Sequence, residues 1–155
     1  LRILSLEIQR MPKSIEETFA HPANYPYLSV CTTSTHDMNP IRAWWEEDRE
    51  VTNDFWHMIL GNQGEAPYFC EPWICRQILD QHVWSPAMLT ILPLQDWLSM
   101  DEQLRREDPN TERINVPANS RHYWRYRMHL TLEQLEAADE FNKTLSDMIA
   151  ASGRC

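Results

Sequence analysis

Three short, strongly apolar segments with the character of β-strands limit the folds open to this sequence. They are residues 1–8, 27–33 and 87–92. The first is rich in Leu and Ile, and the second is rich in β-branched and aromatic residues. The third is an almost continuous apolar run, as is typical of a parallel strand covered on both faces. Segments with helical spacing separate the three, so the sequence predicts an α/β fold with parallel strands joined by crossovers.

Capping signals and helical spacing of apolar residues place four helices between and after these strands. They are a short helix that begins at Ser14, a helix from Pro40 to about Gly61, a helix over residues 72–81 and a long helix from Thr131 to just before Gly153. Three strands cannot close a barrel, which needs about eight strands and roughly 250 residues. The 155 residues therefore predict either a small open α/β domain or the last third of a barrel. Strand-like sequence from Leu1 onward, without a lead-in, favours a piece of a longer protein.

The charge balance disfavours two classes of partner. The formal net charge is −9 and the pI is about 5.1, and an anionic surface repels nucleic acid and anionic lipid. A neutral sugar meets no such repulsion. No apolar run approaches the roughly 18 residues of a membrane span, and no signal peptide is evident.

The four cysteines lack the spacing of a zinc ribbon, which predicts free thiols and a cytoplasmic location.

Two acidic residues follow predicted strands, where catalytic groups collect in parallel α/β folds. Asp37, next to His36, follows the second strand, and Asp96 follows the third. Position alone leaves loop capping open for Asp37, and acceptance of backbone amides in a turn open for Asp96. A metal-dependent hydrolase that uses His36 and Asp37 with His57 or His82 is a further possibility, but the spacing of the histidines is loose. We predict no metal and no cofactor.

The aromatic residues fit either a core or a sugar-binding surface. The chain has seven tryptophans and five tyrosines, and large aromatic rings both fill cores and stack on sugars. Trp44 and Trp45 are adjacent, so on a helix they point in different directions, and at least one belongs to the core. The alternating aromatic and basic residues 123–127 suit single-stranded nucleic acid, but the net charge opposes that role. A buried cluster of arginines and aromatic rings is the alternative.

Several blocks of sequence, taken together, resemble the 4-alpha-glucanotransferases. The blocks are residues 34–37 (STHD) with Arg42 and residues 44–48 (WWEED), residues 92–98 (LPLQDWL), residues 113–117 (RINVP), and Asn119 through residues 124–127 (WRYR). They resemble, in order, a strand-end motif, the next barrel strand with its turn, and the loop and segment that close the enzyme. Order and spacing match the family from about residue 27 to residue 130. The double Trp with its acidic run is most similar to the larger, cytosolic disproportionating-enzyme branch.

The resemblance implies that residues 1–155 form the C-terminal portion of a (β/α)8 barrel with about three parallel strands. Members of this family cleave an alpha-1,4-glucan bond and transfer the glucan to the 4-hydroxyl of an acceptor sugar with retention. Retention requires a nucleophilic carboxylate and a second carboxylic acid that serves as acid and base. In this family both come from earlier barrel strands. The resemblance therefore implies an enzyme whose C-terminal piece is inactive alone.

The resemblance also assigns residues to the site. Asp37 matches the family's third carboxylate, which binds sugar hydroxyls at the cleavage point and favours the oxocarbenium-like state. His36 matches a neighbour that contacts the same sugar, because a neutral imidazole both donates and accepts one hydrogen bond. Asn119 is expected on the acceptor side, and Trp45 is expected to contact substrate.

The partners that follow are alpha-1,4-glucans and maltooligosaccharides. An open strand edge invites pairing with another chain, so a homodimer is a further expectation. A non-catalytic carbohydrate-binding or interaction module is the alternative function, and the many tryptophans motivate it.

Overall fold

A three-stranded parallel sheet organises the computed structural model, which describes residues 3–154. The strands are β1 (Ser5–Ile8), β2 (Ser29–Thr32) and β3 (Leu89–Thr90), in the order β1-β2-β3. Ser5 pairs with Ser29 and Val30 pairs with Leu89, both in parallel register. The predicted strands and their parallel arrangement are confirmed, although each ordered strand is shorter than the predicted segment. Leu1 and Arg2 of the first predicted segment lie outside the described residues.

Six α-helices accompany the sheet within residues 3–154, with two short 3-10 turns. The helices are α1 (Ile41–Trp45), α2 (Arg49–Met58), α3 (Pro72–Val83), α4 (Leu94–Leu98), α5 (Leu132–Glu136) and α6 (Asp139–Ala151). The 3-10 turns are Pro22–Asn24 and Pro109–Glu112. None of these helices is long and apolar enough to cross a lipid bilayer.

The predicted helix from Pro40 to Gly61 is two helices. α1 ends at Trp45, and Asp48 adopts an extended conformation that begins α2. The Asp48 carboxylate accepts hydrogen bonds from the amides of Glu50 and Val51, which fills the role of an N-cap. The apolar spacing continues across this break, so the spacing alone does not predict that the helix is interrupted. Gly61, with φ of 68°, lies just beyond α2 in a conformation that glycine adopts easily.

Two other predicted helices also differ from the structure. The Ser14 segment is only a turn, in which the Ser14 hydroxyl accepts from the amide of Glu16. The capping box at Thr131 is confirmed, but the helix that it begins ends at Glu136. α6 then begins at Asp139, after Ala138 has left helical geometry.

The hydrophobic core lies among α1, α2 and α3. The largest completely buried apolar side chains in this core are Trp45, Phe55, Ile41, Ile74, Ile78 and Leu79. Phe55 contacts Phe19 and Trp44 edge to face, with both centroid distances 5.1 Å, a favoured geometry for aromatic pairs. Cys31, Cys70 and Cys75 are buried free thiols, as predicted. Burial raises the pKa of Cys70 well above its usual range.

The carboxylate of Asp96 connects the end of β2 to α1 and α4. Asp96 is completely buried. One of its oxygens accepts hydrogen bonds from the hydroxyls of Thr33 and Ser34, at 2.6 and 2.5 Å. The other oxygen accepts from the backbone amide of Ile41, at 2.8 Å. Asp96 therefore accepts an amide, as the structural alternative held, but from the start of α1 rather than from its own turn.

Arg10 holds the same loop from the side of β1. Its guanidinium donates to the carbonyls of Thr33 and Asn39, at 2.8 and 2.9 Å. The guanidinium also lies 4.9 Å from the centroid of a Trp44 ring, in a cation–π contact. The segment that leaves β2 is thus fixed from both neighbouring strands.

We expect Asp96→Ala to destabilise the protein by about 2–4 kcal/mol, because two hydroxyls and one amide would lose their acceptor in a buried site. Thermal unfolding monitored by circular dichroism measures the effect as a lower midpoint. Asp54→Ala is the matched control, because Asp54 is exposed on α2 and its loss should change the midpoint little. Equal midpoints for the two variants would contradict the role given to Asp96.

A second prediction concerns the pH dependence of stability. His82 is completely buried, its Nδ1 lies 2.8 Å from the Ile78 carbonyl, and burial lowers its pKa to about 4. Between pH 6.5 and 4 the unfolded chain binds a proton at His82 that the folded chain does not. The stability contributed by His82 is therefore complete above pH 6.5 and is lost as the pH falls toward 4, by up to about 1.4 kcal/mol per pH unit.

The test compares the pH slopes of variants, because Glu112 acts in the opposite direction. Burial raises the pKa of Glu112 to about 7, so its contribution falls as the pH rises from 4.5 to 7. We expect His82→Asn to show a smaller loss of unfolding midpoint between pH 7 and pH 5 than the unmodified protein. His57→Asn, an exposed control, should retain the original slope. An unchanged slope in His82→Asn would refute the prediction.

Candidate active site

The polar segment that follows β2 carries the candidate site. Asp37 lies five residues beyond the end of β2, and its side chain is 56% exposed. The Asp37 Oδ1 atom accepts a hydrogen bond of 2.7 Å from the Asn115 side-chain amide. The His36 Nε2 atom lies 3.3 Å from the same oxygen. Asp37 is therefore oriented by two neighbours while it stays open to a ligand.

The ring of His36 is held between Asp37 and an aromatic side chain. Its centroid lies 5.3 Å from that of Trp124, and the two ring planes are tilted by 45°. Trp124 is itself 63% exposed. An imidazole, a carboxylate and an indole thus share one open surface, which we call the Asp37 face. Such a surface offers hydrogen bonds to hydroxyl groups and an apolar ring to C–H groups.

A buried ion pair lies beneath the Asp37 face. Arg42 Nη1 lies 3.2 Å from Glu112 Oε1, and both side chains are almost completely buried. Arg42 also donates to the carbonyls of Arg106 and Glu107, at 2.6 and 3.3 Å. Burial raises the pKa of Glu112 although Arg42 opposes the shift. Arg42 therefore links α1 to the loop that ends in the second 3-10 turn.

A small cavity of about 30 Å³ lies between His36 of the Asp37 face and Glu112 of this ion pair. Its lining includes His36, Glu112, Gln95 and Ile114. The Gln95 amide donates to the Glu112 carbonyl, at 3.3 Å. The loop that carries Ile114 and Asn115 is therefore supported from below by α4. The strand-end segment is bonded to Asp96 of the same helix, so α4 contacts both segments that meet at the Asp37 face.

The remaining predicted site residues occupy other surroundings. The prediction that Trp45 contacts substrate is wrong, because Trp45 is completely buried and its Nε1 donates to the Pro67 carbonyl at 2.9 Å. Its neighbour Trp44 is only partly buried. Asn119 stabilises a turn, in which its side-chain oxygen accepts from the amide of Arg121. The assignment of Asn119 to the acceptor side stays a prediction.

The histidines do not come together as a metal site would require. The ring of His57 contacts the Gly64 carbonyl at 2.7 Å, and His82 is bonded within α3. Residues 3–154 contain no group of three His, Cys, Asp or Glu side chains placed to hold a metal ion. The metal-dependent hydrolase finds no support in this geometry.

Two residues of the Asp37 face were not recognised from the sequence. Asn115 and Trp124 lie 78 and 87 residues after Asp37, and no local spacing connects them to it. Both occur in blocks that resemble the glucanotransferases, and that resemblance was the only available signal. Their contact with the strand-end segment depends on the long loop after α4.

The sequence is similar to known 4-alpha-glucanotransferases. The sequence profile of the family described as 4-alpha-glucanotransferase matches residues 1–132. The chain is 38% identical, over 99% of its length, to 4-alpha-glucanotransferase DPE2 of Oryza sativa subsp. japonica, and it spans 16% of that protein. It is 29% identical, over 96% of its length, to 4-alpha-glucanotransferase of Chlamydia muridarum, and it spans 28% of that protein.

A solved structure shows the same fold. The amylomaltase from Streptococcus agalactiae in complex with acarbose superimposes with a TM-score of 0.69, at 19% identity. The match covers 99% of this chain and 28% of the amylomaltase. The chain therefore spans less than a third of each of these relatives. The predicted TIM-barrel class is confirmed by this neighbour together with the parallel sheet.

We predict that Arg42→Met destabilises the protein more than Glu112→Gln does. Arg42→Met removes the donor of three acceptors and leaves the Glu112 carboxylate buried without its partner, at a cost of about 3–5 kcal/mol. Glu112→Gln retains an oxygen that can accept from Arg42. Thermal unfolding midpoints measure the order, and Arg76→Met, an exposed change on α3, serves as the control. A lower midpoint for Glu112→Gln than for Arg42→Met would contradict the prediction.

Proposed function

This chain belongs to the 4-alpha-glucanotransferase family, and from that premise we propose that it supplies the Asp37 face of the active site. The complete protein transfers alpha-1,4-glucan segments to the 4-hydroxyl of an acceptor sugar, with retention. The observation that carries the proposal is the position of Asp37. It lies past the carboxyl end of the central parallel strand, exposed, with its Oδ1 oxygen held by Asn115.

Asp37 binds sugar hydroxyls at the cleavage point in this proposal. A carboxylate accepts hydrogen bonds from hydroxyls and stabilises the positive charge that develops on an oxocarbenium-like sugar. The Asn115 amide occupies one lone pair of Oδ1, and the carboxylate, whose side chain is 56% exposed, keeps other acceptor sites for the ligand. Because Asn115 holds the carboxylate in one orientation, less side-chain freedom is lost when the sugar binds.

The nucleophile and the acid/base come from parts of the barrel that precede these strands. Two carboxyl groups about 5–5.5 Å apart are needed for retention. Asp96 is enclosed with three donors, and Glu112 is buried against Arg42. Neither can reach a glycosidic oxygen in this arrangement. These features support a site in which this chain provides the stabilising carboxylate, while other barrel strands provide the nucleophile and the acid/base.

The partners in this proposal are alpha-1,4-glucans and maltooligosaccharides, which agree with an acidic chain because they are neutral. In a complete barrel, strands of the same protein cover the edges of β1 and β3. The homodimer predicted from an open sheet edge therefore requires a different surface and stays a prediction, as does the cytoplasmic location.

We expect Asp37→Asn in the complete protein to lower the transfer rate on maltotriose about a hundredfold or more, because an amide cannot stabilise the developing charge. Separation of the glucose and longer maltooligosaccharides formed over time measures the rate. Asp54→Asn, which neutralises an exposed carboxylate on α2, is the matched control and should retain full activity.

Two further measurements separate a catalytic role from a structural one. The thermal unfolding midpoint of Asp37→Asn should stay close to that of the unmodified protein, because Asp37 is exposed. Asn115→Ala should reduce transfer less than Asp37→Asn, since it loosens the carboxylate without removing it. Near-normal turnover in Asp37→Asn would reject the assignment of Asp37.

A further inference from the structure

A second surface with the chemistry of a sugar site lies on the outer face of α3, away from Asp37. A groove of about 330 Å³ is lined there by His21, Ala23, Gln77, Asp80, Gln81 and Trp84. The indole of Trp84 is 61% exposed. An exposed indole among hydrogen-bonding side chains offers a ring for the C–H face of a sugar and partners for its hydroxyls.

The groove follows one stripe of the helix. Gln77, Asp80, Gln81 and Trp84 recur at helical spacing, and the opposite stripe of α3 is buried in the core. Trp73 lies eleven residues before Trp84, which is close to three full turns and about 16 Å along the axis. The Trp73 ring is 53% exposed and contacts Trp56 at 5.7 Å. Two indoles thus mark the two ends of one helix face.

The amides that line the groove are already fixed in place. Gln77 donates to the Leu60 carbonyl at 3.0 Å, and Gln81 donates to the Ile59 carbonyl at 2.9 Å. Each glutamine oxygen also accepts from a neighbouring amide, Asn62 at 3.4 Å for Gln77 and Gln9 at 2.8 Å for Gln81. A side-chain amide has a second N–H and an oxygen with two lone pairs, so each glutamine keeps one N–H and one lone pair for a ligand. Little side-chain entropy is lost when such groups bind.

The backbone that carries Trp84 is also rigid. Trp84 is the C-cap of α3, and its amide donates to the Asp80 carbonyl at 3.0 Å. Arg154 donates to the carbonyls of Val83, Ser85 and Ala87, at 2.5, 2.5 and 2.7 Å. Its guanidinium therefore holds the turn on which Trp84 stands. On the other side, the His21 Nδ1 atom accepts from the Ala23 amide, so a neutral His21 ring carries its hydrogen on Nε2 and donates from there.

We propose that this groove is an accessory binding site for a linear alpha-1,4-glucan chain, an inference that rests on the proposed function. Trp84 stacks against one glucose unit, the fixed amides and Asp80 bind hydroxyls, and Trp73 receives a more distant unit of the same chain. The lining contains no lysine or arginine, and the chain carries a net charge of −9, so the ligand is neutral rather than anionic. The site holds a long donor or acceptor near the enzyme without taking part in the chemistry.

The first test compares long and short substrates in the complete protein. Trp84→Ala should raise the KM for glycogen about three- to tenfold, which is the loss of affinity expected when one stacking contact is removed. Both kcat and KM for maltotriose should stay unchanged. Trp84→Phe should restore part of the affinity. Met58→Ala is the control, because Met58 is also 61% exposed but lies on α2. Equal kinetics on glycogen for Trp84→Ala and the unmodified protein would overturn the site, as would equal losses on both substrates.

A second test does not depend on activity. Maltoheptaose should protect Trp84 from oxidation by N-bromosuccinimide, measured by mass spectrometry of the peptide that contains it, whereas sorbitol should not. Unprotected Trp84 at saturating maltoheptaose would overturn the accessory site. Absence of transfer from maltotriose by the unmodified protein would instead overturn the proposed function, so the two failures are distinguishable.

Discussion

The hydrogen bonds to the buried carboxylate of Asp96 are the interaction on which the candidate site depends. They join the loop after β2, the first turn of α1 and α4 at a single side chain. A charge taken out of water is tolerated only when it is well supplied with hydrogen bonds, and here three donors from two separate segments satisfy both of its oxygens. Since Thr33 and Ser34 precede Asp37 by only a few residues, the position of Asp37 follows from how Asp96 is satisfied.

The arrangement of the strands could be predicted because it follows from local pattern. Apolar runs separated by helical segments leave few alternatives to parallel strands. The ends of such strands indicated Asp37 as a candidate functional residue, and the structure shows that its side chain is exposed. The helix boundaries could not be predicted in the same way. Asp48 separates α1 from α2, and Ala138 separates α5 from α6, without any change in the apolar spacing. Periodicity alone therefore predicts one helix in place of each pair.

The site itself could be predicted only in part, because much of it is assembled by contacts between distant residues. Asn115 reaches Asp37 across 78 positions, by way of a loop that rests on the pair of Arg42 and Glu112. For Trp45, the sequence predicted a contact with substrate, whereas the structure encloses the side chain in the core. Two adjacent tryptophans on a helix point in different directions, and only the packing around Phe55 decides which one is completely enclosed. Trp44 packs against the core but is only partly buried, whereas Trp45 is completely buried.

Two acidic residues at neighbouring strand ends illustrate how environment divides roles within one fold. Asp37 and Asp96 follow adjacent parallel strands and carry the same side chain. Asp96 has used its acceptor sites on the protein and is closed to solvent, so it can only hold structure. Asp37 has bonded one oxygen to Asn115 and its side chain stays exposed, so it keeps acceptor sites for a ligand. Identical carboxyl groups are open to different functions, because burial determines which lone pairs stay available.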